Sequence, residues 1–261
     1  MLLFLSFLYF FGGLPSASNA AVDVYAMTNH VTIVPYSQTS RTLAVKGLEM
    51  RQVNTNPDSL TYVAAKAQVD FIRIRLRNDF KENRIDIDSV KRTFGKHLTD
   101  QIIPYWYGTG WSFSGHTAVP KKGKIACGYF ISTTLKDMGL NLNRYKLAQK
   151  SPLDEAKALS CGTEIITIAH EDPNQALAEI KGYIHQGVYF IGFDTGHVGF
   201  LVKKKEQLLL VHSNYLAPVS VCVEPLETAR VFKTFKKFHL VDISNNERLI
   251  QKWLNNDVVL R

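Results

Sequence analysis

Three cysteines and eight histidines occur in 261 residues. One cysteine sits where a thiol can be made nucleophilic. A cysteine attacks as thiolate, and both a helix N-terminus and a nearby imidazolium lower its pKa. In residues 125–138, Phe130, Ile131, Thr134, Leu135 and Met138 fall on one helical face and Gly139 closes the run. Cys127 is therefore expected at the N-terminus of a helix that buries one face. Among the histidines, His197 starts an apolar run just after a glycine-containing turn, and His212 ends the next run. In an antiparallel hairpin the start of one strand lies opposite the end of its partner. His197 and His212 are thus expected to be neighbours, one serving as base to Cys127 and the other orienting that base. The chain has neither a Cys-x-x-Cys nor a His-Glu-x-x-His spacing, so the expected site holds no metal and no cofactor.

Several elements must position these groups. From residue 60 to about 78, Val63, Ala64, Ala67, Phe71 and Ile74 recur near helical spacing, although the alternation at 71–77 also suits a strand. A second helix is expected over 86–103, with Val90, Phe94, Leu98 and Ile102 in a row and Pro104 ending it. Residues 105–123 mix glycine, proline and aromatics without periodicity and read as a loop. Tyr105, Trp106, Tyr107 and Trp111, with Phe113, are candidate cleft walls there, and packing into the core is the competing reading. Residues 140–175 look like an inserted loop-and-helix region. A helix at 173–183 precedes apolar runs at 187–193, 197–202 and 208–212, separated by polar turns, which read as antiparallel strands. A strand at 219–223, a helix with a basic face over 225–238 and a strand from Val241 complete the reading. Helices followed by a strand meander imply an α+β fold.

Composition limits the function classes. The chain is 46% hydrophobic and 21% charged, which excludes wholesale disorder. Residues 2–14 form a short uncharged apolar run, broken by Pro15 and followed by small residues before Ala20. This is the layout of a secretory signal peptide cleaved near Ala20, too short for a membrane anchor. Contact with the membrane is expected only through that segment. In an exported protein Cys161 and Cys222 can pair, leaving Cys127 free. The net charge of +8 suits an anionic cell-envelope surface, and no nucleic-acid motif is present.

Four segments carry a family resemblance. Tyr-Trp-Tyr-Gly at 105–108, Ala-Cys-Gly-Tyr-Phe at 126–130, Gly-His-Val-Gly-Phe at 196–200 and Leu-Val-His-Ser at 210–213 resemble the successive motifs of NlpC-type cell-wall cysteine peptidases. The likeness spans roughly residues 90–215. It implies a papain-like core over 90–261 after an N-terminal extension at 21–89, with N-terminal helices packed on an antiparallel sheet. It also implies cleavage of amide bonds in peptidoglycan stem peptides by a monomeric enzyme, through an acyl-enzyme on Cys127, with His197 as base, His212 as orienting residue and Tyr105 near the oxyanion. The family usually writes Asp-Cys-Ser-Gly where this chain has Ala126-Cys127-Gly128, which leaves the bond cut open. An amidase, acyltransferase or thioesterase with the same triad is an alternative, as is a non-catalytic wall-binding module.

Overall fold

The structure is a computed structural model and describes residues 59–194 and 196–261. The expected signal segment lies outside these residues, as do residues 31–34, whose β-branched side chains read as a weak strand. Two helices open the described chain, α1 (Ser59–Lys81) and α2 (Ile87–His97). The alternating stretch at 71–77 is helical, as part of α1. Asp86 caps α2 by accepting the Ser89 N–H. Pro104 does not end a continuous helix. A π-helical turn at Leu98–Ile102 intervenes, and Pro104 lies in the first turn of the short α3 (Ile103–Trp106), where a missing N–H costs little. The boundary expected at 89/90 falls inside α2.

Then come α4 (Cys127–Asp137), β1 (Asn141–Leu142), α5 (Arg144–Ala148), α6 (Pro152–Ser160), β2 (Ile166–Ala169) and α7 (Pro173–Tyr183). The strands β3 (Gly187–Phe193), β4 (His197–Lys204), β5 (Gln207–Ser213), β6 (Val221–Pro225) and β7 (Lys237–Asp242) follow. The chain closes with α8 (Glu247–Asn255) and β8 (Val258–Leu260). Among the described residues the main sheet has six strands in the order β2-β7-β3-β4-β5-β6, all pairings antiparallel. The architecture is α+β, as expected.

Both faces of this sheet are covered, which explains why its central strands read as apolar runs rather than alternations. Val188, Phe190, Val198, Phe200 and Val202 face a core shared with Phe130, Ile131 and Leu135 of α4 and with Trp106 and Trp253. Tyr189, Ile191, Phe193, Leu201 and Leu210 face a second core with Ala176 and Ile180 of α7.

Two expectations for the C-terminal third are corrected. Residues 225–238 form no long helix. After β6 come turns and a 3₁₀ turn at Phe232–Thr234, and β7 has begun by Lys237. Leu226, Ala229, Val231, Phe232 and Phe238 are all buried in the second core, so this segment is pinned by packing over the sheet rather than by one helical face. The last strand of the main sheet begins at Lys237, before Val241, and inserts between β2 and β3. The region 140–175 is built into the body: α6 packs on β3 and β7, and β2 pairs with β7. Among the described residues no helix is long and apolar enough to cross a membrane.

Candidate active site

Cys127 is the first residue of α4, as its position before an apolar helical face predicts. Ala126, the N-cap, contributes no side-chain hydrogen bond, so the first-turn N–H groups stay available to an anion. The β4–β5 ladder runs from the Lys204–Gln207 turn end to Phe200↔Val211 and goes no further. Beyond it, the amide of Val198 is directed at the Cys127 sulfur. The Cys127 sulfur therefore meets strand β4 at Val198, whose side chain faces the α4 core, whereas His197, paired with Phe193, faces the second core, and no hydrogen bond joins it to Cys127.

The two histidines meet as the hairpin argument requires. His197 Nε2 and His212 Nδ1 are 2.8 Å apart, and both residues are buried. Gly199 makes room for this contact: a Cβ there would lie 3.2 Å from the Cβ of His212 and 2.9 Å from Leu210 Cδ1. A group not anticipated from sequence extends the row. His212 Nε2 lies 3.0 Å from Glu224 Oε1 on β6. An ionised carboxylate only accepts, so this contact places the His212 proton on Nε2. His212 Nδ1 then accepts from His197 Nε2–H, and the lone pair of His197 is left on Nδ1. That nitrogen is buried and has no hydrogen-bond partner among the described residues. The signal that could have found Glu224 is its place two residues from Cys222, which pairs with His212 across the strands.

Electrostatics depart from expectation. Burial is the largest influence on the thiol, and it outweighs the N–H groups of Val198 on β4 and of Gly128 and Cys127 at the start of α4, which favour the thiolate. Burial, joined by the nearby Glu155 carboxyl, pushes the Cys127 thiol up to about 11. Burial, and then His212, holds His197 well below the usual imidazole range. The resting pair is therefore neutral thiol and neutral imidazole rather than an ion pair. Glu155, on α6, is itself 2% exposed, and burial raises it well above an ordinary carboxyl.

The aromatic candidates divide. Trp106 is fully buried, donates its indole N–H to Tyr62 Oη at 2.8 Å, and packs edge-on against Phe130. It is a core residue and not a cleft wall, because α1 supplies the partner that holds it inside. Tyr105 turns its hydroxyl to the Thr61 carbonyl, 3.2 Å away on α1, which opposes an oxyanion role. Tyr107 is largely buried, and its hydroxyl is pushed up to about 12 by burial and by the neighbouring Asp100 and Cys222. Trp111 is half-buried and lies 6.0 Å, ring to ring, from Tyr215, which in turn is 5.5 Å from His197. Of the four, Trp111 is the one that this aromatic row connects to the histidines. Phe113 is almost fully exposed.

No protein-family model matches this chain, and no curated protein is significantly similar to it. The site must therefore be read from its own geometry.

None of the three cysteines is paired. Cys161 ends α6 in a left-handed conformation, and Cys222 lies beside His212, with its sulfur 3.5 Å from Nε2. Cys161 and Cys222, whose pairing the sequence left open, are not bridged and have different surroundings: Cys161 is near Lys252 and Arg248, and Cys222 is near Glu224 and Asn214.

Proposed function

We propose that this chain is an exported cysteine hydrolase with a papain-like core, cleaving amide bonds in peptidoglycan stem peptides. The carrying observation is the row Glu224–His212–His197, which ends one residue from the backbone amide that meets the Cys127 sulfur. Glu224 and His212 keep the lone pair of His197 on Nδ1. In the proposed reaction the His197 ring turns toward the sulfur, with which it makes no hydrogen bond at rest, and that nitrogen takes the proton of the Cys127 thiol as the sulfur attacks the substrate carbonyl. Attack and proton transfer occur together because the resting thiol is neutral. The N–H groups at the start of α4 stabilise the developing oxyanion. Collapse gives a thioester on Cys127, and His197 returns the proton to the leaving amine. Water, activated by His197, then releases the acid and regenerates the thiol.

The family-like serine after the nucleophile is excluded here by packing. A Cβ on Gly128 would stand 2.7 Å from the Ala148 carbonyl oxygen at the end of α5. Substrate selection must come from other walls, and the half-buried Trp111, set beside Tyr215, which packs on His197, offers one. The test is digestion of purified peptidoglycan with mass spectrometry of the released fragments. The wild type should release stem-peptide fragments and Cys127→Ala should release none; equal release by the two proteins overturns the assignment.

A further inference from the structure

His212, Cys222 and Glu224 form a second arrangement that the proposed hydrolysis does not use in full. His212 and Cys222 are a cross-strand pair on β5 and β6, and Glu224 follows two residues on, so all three side chains share one sheet face. Their donor atoms lie within 4.8 Å of one another. Nε2 of His212 is 3.5 Å from Sγ of Cys222 and 3.0 Å from Oε1 of Glu224.

The N···S and N···O separations are close to two edges of a tetrahedron around zinc. Bonds of about 2.0 Å to nitrogen and oxygen and about 2.3 Å to sulfur give an N···S edge of about 3.5 Å and an N···O edge of about 3.3 Å. The scaffold is rigid, being two neighbouring strands. The far nitrogen of His212 is already held by His197 at 2.8 Å, the outer hydrogen bond that ligating histidines commonly make. Access is open from one side: β6 is the edge strand of the sheet, and Cys222 and Glu224 are partly exposed whereas His212 is buried. Imidazole, thiolate and carboxylate together suit a borderline-soft divalent ion, and three protein ligands leave a fourth position for water or a ligand.

We propose that His212 Nε2, Cys222 Sγ and Glu224 Oε1 bind a single divalent ion of the zinc class. On binding, the ion displaces the thiol proton of Cys222 to solvent and takes the Nε2 lone pair of His212. The His212 proton, displaced from Nε2 by the ion, is re-sited on Nδ1, the hydrogen bond to His197 reverses direction, and the His197 proton moves from Nε2 to Nδ1. The site shares His212 and Glu224 with the proposed catalytic row, and a bound ion removes the His197 Nδ1 lone pair that hydrolysis needs, but metal binding itself requires neither Cys127 nor turnover.

The test is titration of the full chain with cobalt(II), and with zinc by calorimetry. One equivalent should bind, and cobalt should give a near-ultraviolet thiolate-to-metal charge-transfer band. That band should disappear in Cys222→Ser and persist in Cys127→Ala and in Cys161→Ser. Glu224→Gln should weaken zinc binding by about tenfold or more, with far-ultraviolet circular dichroism showing each variant folded. Absence of the band in the wild type, or its persistence in folded Cys222→Ser, overturns the site. Loss of hydrolysis in Cys127→Ala alongside intact metal binding would separate the two readings, as would metal binding by a chain that hydrolyses nothing.

Discussion

Cys127 shows how two opposing effects on one thiol are decided by magnitude. The N–H groups around the sulfur pull its pKa down, but burial raises it from 9.0 to about 11. The thiolate fraction at neutral pH is then about a hundredfold below that of an ordinary thiol. Alkylation of Cys127 by iodoacetamide, followed by peptide mapping, should be slow at neutral pH and keep rising as the pH approaches 11. A rate already at its plateau at pH 7 would mean a preformed ion pair. Glu155 gives a stability prediction. Its folded-state pKa is raised above the ordinary 4.5, so the folded form holds the proton more tightly than the unfolded form. The stability tied to it is present below pH 4.5 and is lost as the pH rises toward the raised value. Glu155→Gln should therefore be more stable than the wild type at neutral pH, and the difference should shrink toward pH 4.5. Thermal melts across that range read both; a constant difference would contradict it.

Contact between elements explains residues that the nucleophile's own segment does not. The C-terminal end of α5 lies against the first turn of α4, where a Cβ on Gly128 would stand 2.7 Å from the Ala148 carbonyl oxygen. Gly128→Ser must move the Ala148 carbonyl and should cost about 1–3 kcal/mol, the range for overpacking a tight interior. Denaturant unfolding midpoints measure this, and an unchanged midpoint would show the contact to be slack. The elements with a strong local signal were legible from sequence: the amphipathic face of α4, the helix at Pro173–Tyr183 and the hairpin β4–β5. Residues 225–238 were misread because Leu226, Ala229 and Phe232 have spacings compatible with a helix. Those residues in fact pack from turns onto the second core.

At the scale of the whole molecule, the N- and C-terminal helices complete the core on which α4 rests. Trp253 of α8 is fully buried, lies 5.0 Å from Phe94 of α2 ring to ring, and donates its indole N–H to the Met138 carbonyl just past α4. Trp253→Ala should destabilise the fold by about 3–5 kcal/mol, the cost of emptying a large aromatic site. Loss of activity in that variant should follow the unfolded fraction, measured by circular dichroism on the same samples. A stable variant that retains the wild-type melting point would refute the structural role given to α8.

The sequence by itself determined where three candidate groups sit: Cys127 at a helix start, His197 and His212 at facing ends of a hairpin. Periodicity and turn chemistry act over a few residues, so they can be read locally. The tertiary structure alone decided that Trp106 is core, that Tyr105 turns toward α1, that Glu224 continues the histidine row and that the thiol rests neutral. Each of these depends on which distant segments exclude water from a given atom or supply its hydrogen-bond partner. Desolvation is set by the whole surrounding shell, and no stretch of neighbouring residues encodes it.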